Sequence, residues 1–136
     1  MNDKLAFYLK DFVWSDIKPS RELIEGVQKQ LDFALPESYI DLMQEFNGGE
    51  GSIGENSWLS LFPFDELITV NKSYHILMDE IPDYFLFGKD AADTGYAFHK
   101  KAGTIHSFGL MSNFERDEIE FCGSDFLGFI EYLYNS

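Results

Sequence analysis

The chain has 136 residues, of which 45% are hydrophobic, enough to bury a core of ordinary size without disulfides or a structural metal. Asp and Glu number 24 against 10 Lys and Arg, and the formal net charge of −14 repels nucleic acid and anionic lipid while favouring a basic partner or cations. The single cysteine, Cys122, excludes an internal disulfide framework and any multi-cysteine zinc site, and its EIEFCGS setting reads as a buried, inert thiol.

No stretch approaches the roughly 20 apolar residues of a membrane span, and the opening MNDKLAFYLKDF lacks a secretion-signal pattern. The expectation is a soluble, cytoplasmic protein with one domain over residues 1–136.

Leu5, Tyr8, Leu9 and Phe12 recur at helical spacing, which predicts a helix within Asp3 to Trp14. Ser20 is an N-cap signal, and Leu23, Ile24, Val27 and Leu31 form one apolar stripe, so residues 21–31 are predicted as an amphipathic helix. In LPESYIDLMQEFNGGEG, Pro36 suits a first helical turn and Tyr39, Leu42, Met43 and Phe46 share a face. Asn47 and Gly48 close that helix, because glycine readily takes the left-handed conformation after a last turn.

SWLSLFPF (57–64) is predicted as a strand and residues 65–80 as a helix. YFLFG (84–88), GYAFH (95–99) and TIHSFGL (104–110) read as strands, with KKAG as a hairpin connection between the last two. EIEFC (118–122) reads as a last short strand, and Ser124 as the cap of a helix burying Phe126, Phe129, Ile130 and Leu133. N-terminal helices, a run of strands and a C-terminal helix indicate an α+β fold with a mainly antiparallel sheet.

Enzyme chemistry finds no foothold. Asp93-Thr94-Gly95 matches the aspartic-protease tripeptide but occurs once, and it reads as an exposed turn. His75, His99 and His106 form no metal-binding array; His99 and His106 face each other across the predicted 95–110 hairpin and read as ordinary strand histidines. No nucleophile elbow is present, NGGEGSIGEN lacks the lysine of a phosphate loop, and KDAADTG lacks the alternating acids of a calcium loop. Neither cofactor nor metal is expected.

The acids are unevenly placed. Between Lys29 and Lys72 there is no basic residue but eight acids, and from Ala102 onward six acids face Arg116 alone. Glu37, Asp41 and Glu45 lie at i, i+4 and i+8 on the third predicted helix, where like charges cost about 0.2–0.5 kcal/mol per pair. Helix stability therefore does not account for the stripe. Two readings stand: a solvated face kept for solubility, or a docking surface for a basic protein, extended by Glu50, Glu55, Asp65 and Glu66.

Leu35, Pro36, Tyr39, Asn47, Gly48 and Gly49, followed by a strand carrying Trp58, resemble the hallmark of the SUKH superfamily, which includes bacterial immunity proteins and fungal regulators of cell-wall glucan synthesis. The resemblance covers nearly the whole chain; GKDAADTG departs from it where relatives often carry a run of glycines. It implies a non-catalytic α+β module. The function it implies is neutralisation of a cognate toxin, of nuclease or deaminase type, by binding; such toxins are commonly basic, which suits an acidic partner. The alternatives are a cell-wall-regulator type of scaffold and, less favoured, a small metal-dependent hydrolase.

Overall fold

The computed structural model describes residues 2–114 and 118–136. Seven strands among these residues form an antiparallel sheet whose spatial order follows the chain: β1 (Val13–Trp14), β2 (Gly49–Ile53), β3 (Ser57–Leu61), β4 (Tyr84–Lys89), β5 (Thr94–His99), β6 (Ile105–Gly109) and β7 (Glu120–Gly123). The helices are α1 (Asp3–Tyr8), α2 (Arg21–Gln30), α3 (Glu37–Glu45), α4 (Leu67–Ser73), α5 (His75–Met78) and α6 (Phe126–Tyr134). The architecture is the α+β fold that the element order implies.

Both faces of the central strands are buried, because side chains alternate along a strand and each face meets its own set of helices. Phe85, Phe87 and Phe98 share one apolar cluster with Tyr39 and Met43 of α3 and Phe126 and Phe129 of α6. Leu86, Ala97 and Phe108 point the other way, into a cluster with Leu77, Met78 and Ile81. Stacking of Phe87 on Phe98 at 4.1 Å between centroids marks the centre of the first cluster.

Several elements differ from the sequence pattern. The first helix ends at Tyr8; the chain then turns, and Val13 and Trp14 pair with Glu50 and Gly49 of β2. Trp14 stacks on Phe46 at 4.4 Å, a tertiary contact that further helical turns would forgo, and valine and tryptophan favour strands. Leu9 and Phe12 remain buried, which is why their helical spacing misled.

Strand β2 lies where a glycine-rich loop is expected. Its glycines serve close approach: a Cβ on Gly51 would sit 2.7 Å from the carbonyl oxygen of Asp11 in the neighbouring chain segment. Residues 65–80 are helical but segmented into a 3-10 turn (Phe64–Glu66), α4 and α5, with the break at Tyr74. Strand β3 stops at Leu61, ahead of Pro63, which has no N–H to donate. The cap of α6 is Asp125 rather than Ser124, its Oδ1 accepting from the Gly128 N–H at 2.8 Å.

The early end of β3 leaves part of the β4 edge unpaired. Asn71 of α4 completes it: Nδ2 donates to the Leu86 carbonyl (2.8 Å) and Oδ1 accepts from the Leu86 N–H (2.9 Å), so one carboxamide takes the place of a neighbouring strand. Leu86 is fully buried. Replacing Asn71 by leucine orphans both groups and is expected to lower stability by about 2–3 kcal/mol in denaturant unfolding. A loss under about 0.5 kcal/mol would show that the edge finds other partners.

Candidate protein-binding surface

The helix that carries the acidic stripe is held at both ends by its own sequence motif. Leu35 is buried, and its N–H donates to Gln28 Oε1 of α2, whose Nε2 donates to the Phe33 carbonyl. Pro36 occupies the N-cap, one residue earlier than a first-turn position, and its carbonyl accepts from the Ile40 N–H. Tyr39 is wholly buried among Phe64, Phe87, Phe98 and Phe126. Its hydroxyl finds no hydrogen-bond partner among the described residues, and burial pushes the phenol far above its ordinary pKa.

At the other end, Asn47 acts as a clip. Its Oδ1 accepts from the Phe64 N–H at 2.7 Å and its Nδ2 donates to Asp65 Oδ1 at 2.9 Å, which ties the end of α3 to the 3-10 turn. Gly48 follows with φ of +86°, and Gly49 enters β2 opposite Leu61. Trp58 lies on the β2–β3 hairpin opposite Ser52 and is 38% exposed, so it stands at the surface rather than in the core.

A test of this clip is the variant Asn47→Asp. It keeps the acceptor for Phe64 but sets a second carboxylate against Asp65, so one of the pair acquires a raised pKa in the folded state. The folded state then binds a proton more tightly than the unfolded one, and stability rises as pH falls through that pKa. The expected deficit is about 1–3 kcal/mol at pH 7, shrinking on acidification towards about pH 4.5. A deficit independent of pH would contradict the facing geometry.

The structure places the seven acids in four neighbourhoods. Glu37, Asp41 and Glu45 share one side of α3; Glu37 and Asp41 are exposed and Glu45 is partly so. Among the described residues neither Glu37 nor Asp41 has an ion-pair partner. Asp65 and Glu66 lie just past the C-terminal end of α3, joined to it through Asn47. Glu50 is on the outer side of β2, opposite Ser60 and Val13. Glu55 sits in the β2–β3 turn, beside the C-terminal end of α6, where Asn56 Nδ2 donates to the Ser136 carbonyl.

Asp41 and Glu45 also line a groove of about 390 Å³ with Asn2, Ser38 and an apolar floor of Leu5, Leu42, Phe126 and Leu127, drawn from α1, α3 and α6. Asp41 places a carboxylate beside this apolar floor, whereas Glu45 is already engaged in an interaction of its own. The sequence pattern marks the acids but not the floor, because the floor residues follow core-type helical spacing and converge only through tertiary packing.

The other residues singled out by the sequence lie elsewhere in the fold. Asp93 is in the exposed β4–β5 turn, with Thr94 and Gly95 opening β5. His99 and His106 do share a sheet face, with ring centroids 6.2 Å apart. His99 Nδ1 accepts from the N–H groups of Lys101 and Ala102, and His106 Nε2 lies 2.7 Å from the Thr104 hydroxyl. Burial, then His99, lowers the His106 pKa. No group of three potential metal ligands occurs among the described residues. Cys122 is buried, and burial raises its pKa. Arg116, the basic residue of the second acidic run, lies outside the described residues.

A meander sheet flanked by helices, one of them bounded by its own sequence motif, defines a small α+β module. A family model described as SMI1 / KNR4 family (SUKH-1) matches residues 18–132, and the chain belongs to that family. A search of curated proteins finds no match. No helix among the described residues is long and apolar enough to cross a membrane.

Proposed function

We propose that this chain is a non-catalytic, cytoplasmic protein-binding module that neutralises a cognate basic toxin, of nuclease or deaminase type, by binding and occluding it. The observation that carries this reading is the outer face of α3, where Glu37, Asp41 and Glu45 stand in line and two of them border an apolar groove. Among the described residues Glu37 and Asp41 have no ion-pair partner, which leaves their charge available for recognition. An acidic surface steers a basic partner into encounter and discriminates against neutral or acidic ones. Toxins that grip nucleic acid present the matching basic surface. Membership of the SMI1/KNR4 family supports a binding role.

The second reading, a regulator of the cell-wall glucan synthesis type that binds cellular proteins, is favoured by the same family membership. Affinity capture from the source cells, with washes at low and high salt, separates the two. Retention of one basic protein with activity on nucleic acid, released at high salt, is the expected result. Retention of several cell-wall or signalling proteins, insensitive to salt, would replace the toxin reading with the regulatory one.

A further inference from the structure

The β3–β4 ladder is short: Ser60 pairs with Lys89 and Leu61 with Gly88, whereas Ser57 to Leu59 pair only with β2. The sheet therefore parts between the start of β3 and the β4–β5 turn. Strand β3 and α6 form one wall of the gap, fixed by the Ser57 hydroxyl donating to the Leu133 carbonyl at 2.6 Å. The β4–β5 turn forms the other, held by Asp90 Oδ1 accepting from the N–H groups of Ala92 and Thr94. The result is a cleft of about 360 Å³, a size ordinary for ligand sites and distinct from the groove beside α3.

Its chemistry is specific. Three aromatic residues, Trp58, Tyr96 and Tyr132, line it together with the acids Asp90 and Glu120, and among the described residues no lysine, arginine or histidine does so. Lys89 lies nearby, but its ammonium donates to the Asp90 backbone carbonyl. Tyr96 is buried and held edge-on to Phe129 at 5.0 Å, a fixed part of the cleft. Burial, then the Asp90 carboxylate, raises the Tyr96 pKa; for Tyr132 the order is Cys122, burial and Glu120, so both acids act on the ring hydroxyls. Since Asp90 Oδ1 is engaged by the turn, its second oxygen is left for a ligand.

Aromatic faces attract a cation, and carboxylates fix its orientation. A planar guanidinium satisfies both, stacking on a ring while donating to oxygen, which a compact ammonium does less well. We infer that this cleft is a receptor for an arginine side chain presented by the partner protein, seated between Tyr96 and Tyr132 and bonded to Asp90 and Glu120. This inference rests on reading the chain as a protein-binding module, but it concerns a second contact point, at the opposite end of α6 from the groove.

The test uses two short peptides, acetyl-Gly-Arg-Gly-amide and its citrulline counterpart, which is near in shape but uncharged. Each is titrated into the ¹⁵N-labelled chain and followed by NMR. The arginine peptide is expected to produce saturable shifts at the Thr94, Ser107 and Tyr132 amides and the Trp58 indole. The citrulline peptide is expected to bind at least about tenfold more weakly, as is the arginine peptide to the double variant D90N/E120Q, whose carboxamide at position 90 keeps an acceptor for the turn. An unchanged melting temperature in that variant confirms that the fold is intact. Absence of saturable shifts, equal shifts with citrulline, or shifts confined to α3 would each overturn the arginine site. None of those results bears on capture of the whole partner, which tests the broader reading separately.

Discussion

Replacing Gly48 by valine is expected to destabilise the fold by about 4 kcal/mol. Two penalties coincide there. The φ of +86° is strained for any residue with a Cβ and most strained for a β-branched one. A Cβ at this position would also lie 2.7 Å from the Leu61 carbonyl oxygen, a backbone atom fixed by the β2–β3 ladder. Gly103 separates the two contributions, because it has a similar φ of +71° but nothing within 4 Å of a built Cβ. Gly103→Ala should then lose only about 1–2 kcal/mol, from backbone strain alone, and Gly48→Ala clearly more. Equal losses in guanidinium unfolding would show that crowding against Leu61 is relieved without cost.

Reversing the charge of the stripe, with lysine at positions 37, 41 and 45 together, is expected to slow association with the basic partner by about 10- to 100-fold at low salt. The effect should sit in the on-rate and fade as ionic strength rises, because screening removes long-range steering at distances beyond about 10 Å in 0.1 M salt. Folding should be nearly untouched: the positions are surface positions on one helix, Glu37 and Asp41 exposed and Glu45 partly so. Stopped-flow association at two salt concentrations, beside a thermal melt, checks both halves. An unchanged on-rate would reduce the stripe to a solvated face.

What the sequence made legible follows from where the information is local. Helix α2 with its Ser20 cap, helix α3 with its Asn-Gly ending, and the strands β4 to β6 each carry their own periodicity and turn chemistry, and these stand where the pattern puts them. Strand β2 was hidden because its glycines answer to a neighbouring segment much earlier in the chain, around Asp11. Strand β1 was hidden because Leu9 and Phe12 imitate a helical face while being buried for tertiary reasons. The clip at Asn47 and the edge repair at Asn71 are likewise invisible without the fold: each amide looks like a helix terminator or a surface residue until its distant backbone partner is known.

The same division runs through the candidate surface. The spacing of Glu37, Asp41 and Glu45 puts them on one side of a helix, and α3 has them so. Glu50 and Glu55 belong to other neighbourhoods, on the outer side of β2 and at the hairpin tip, because the chain reverses twice after Gly48. The apolar floor beneath Asp41 and the cleft beside Asp90 are assembled from elements far apart in sequence, which no local pattern records.

The central claim is neutralisation by binding, and its most direct test is a titration. The protein captured from the source cells is assayed for its activity on nucleic acid while the purified chain is added in increasing amounts. Activity is expected to fall to background at one equivalent of the chain and to return when high salt dissociates the pair. A complex that forms at one equivalent yet leaves the activity intact would contradict neutralisation.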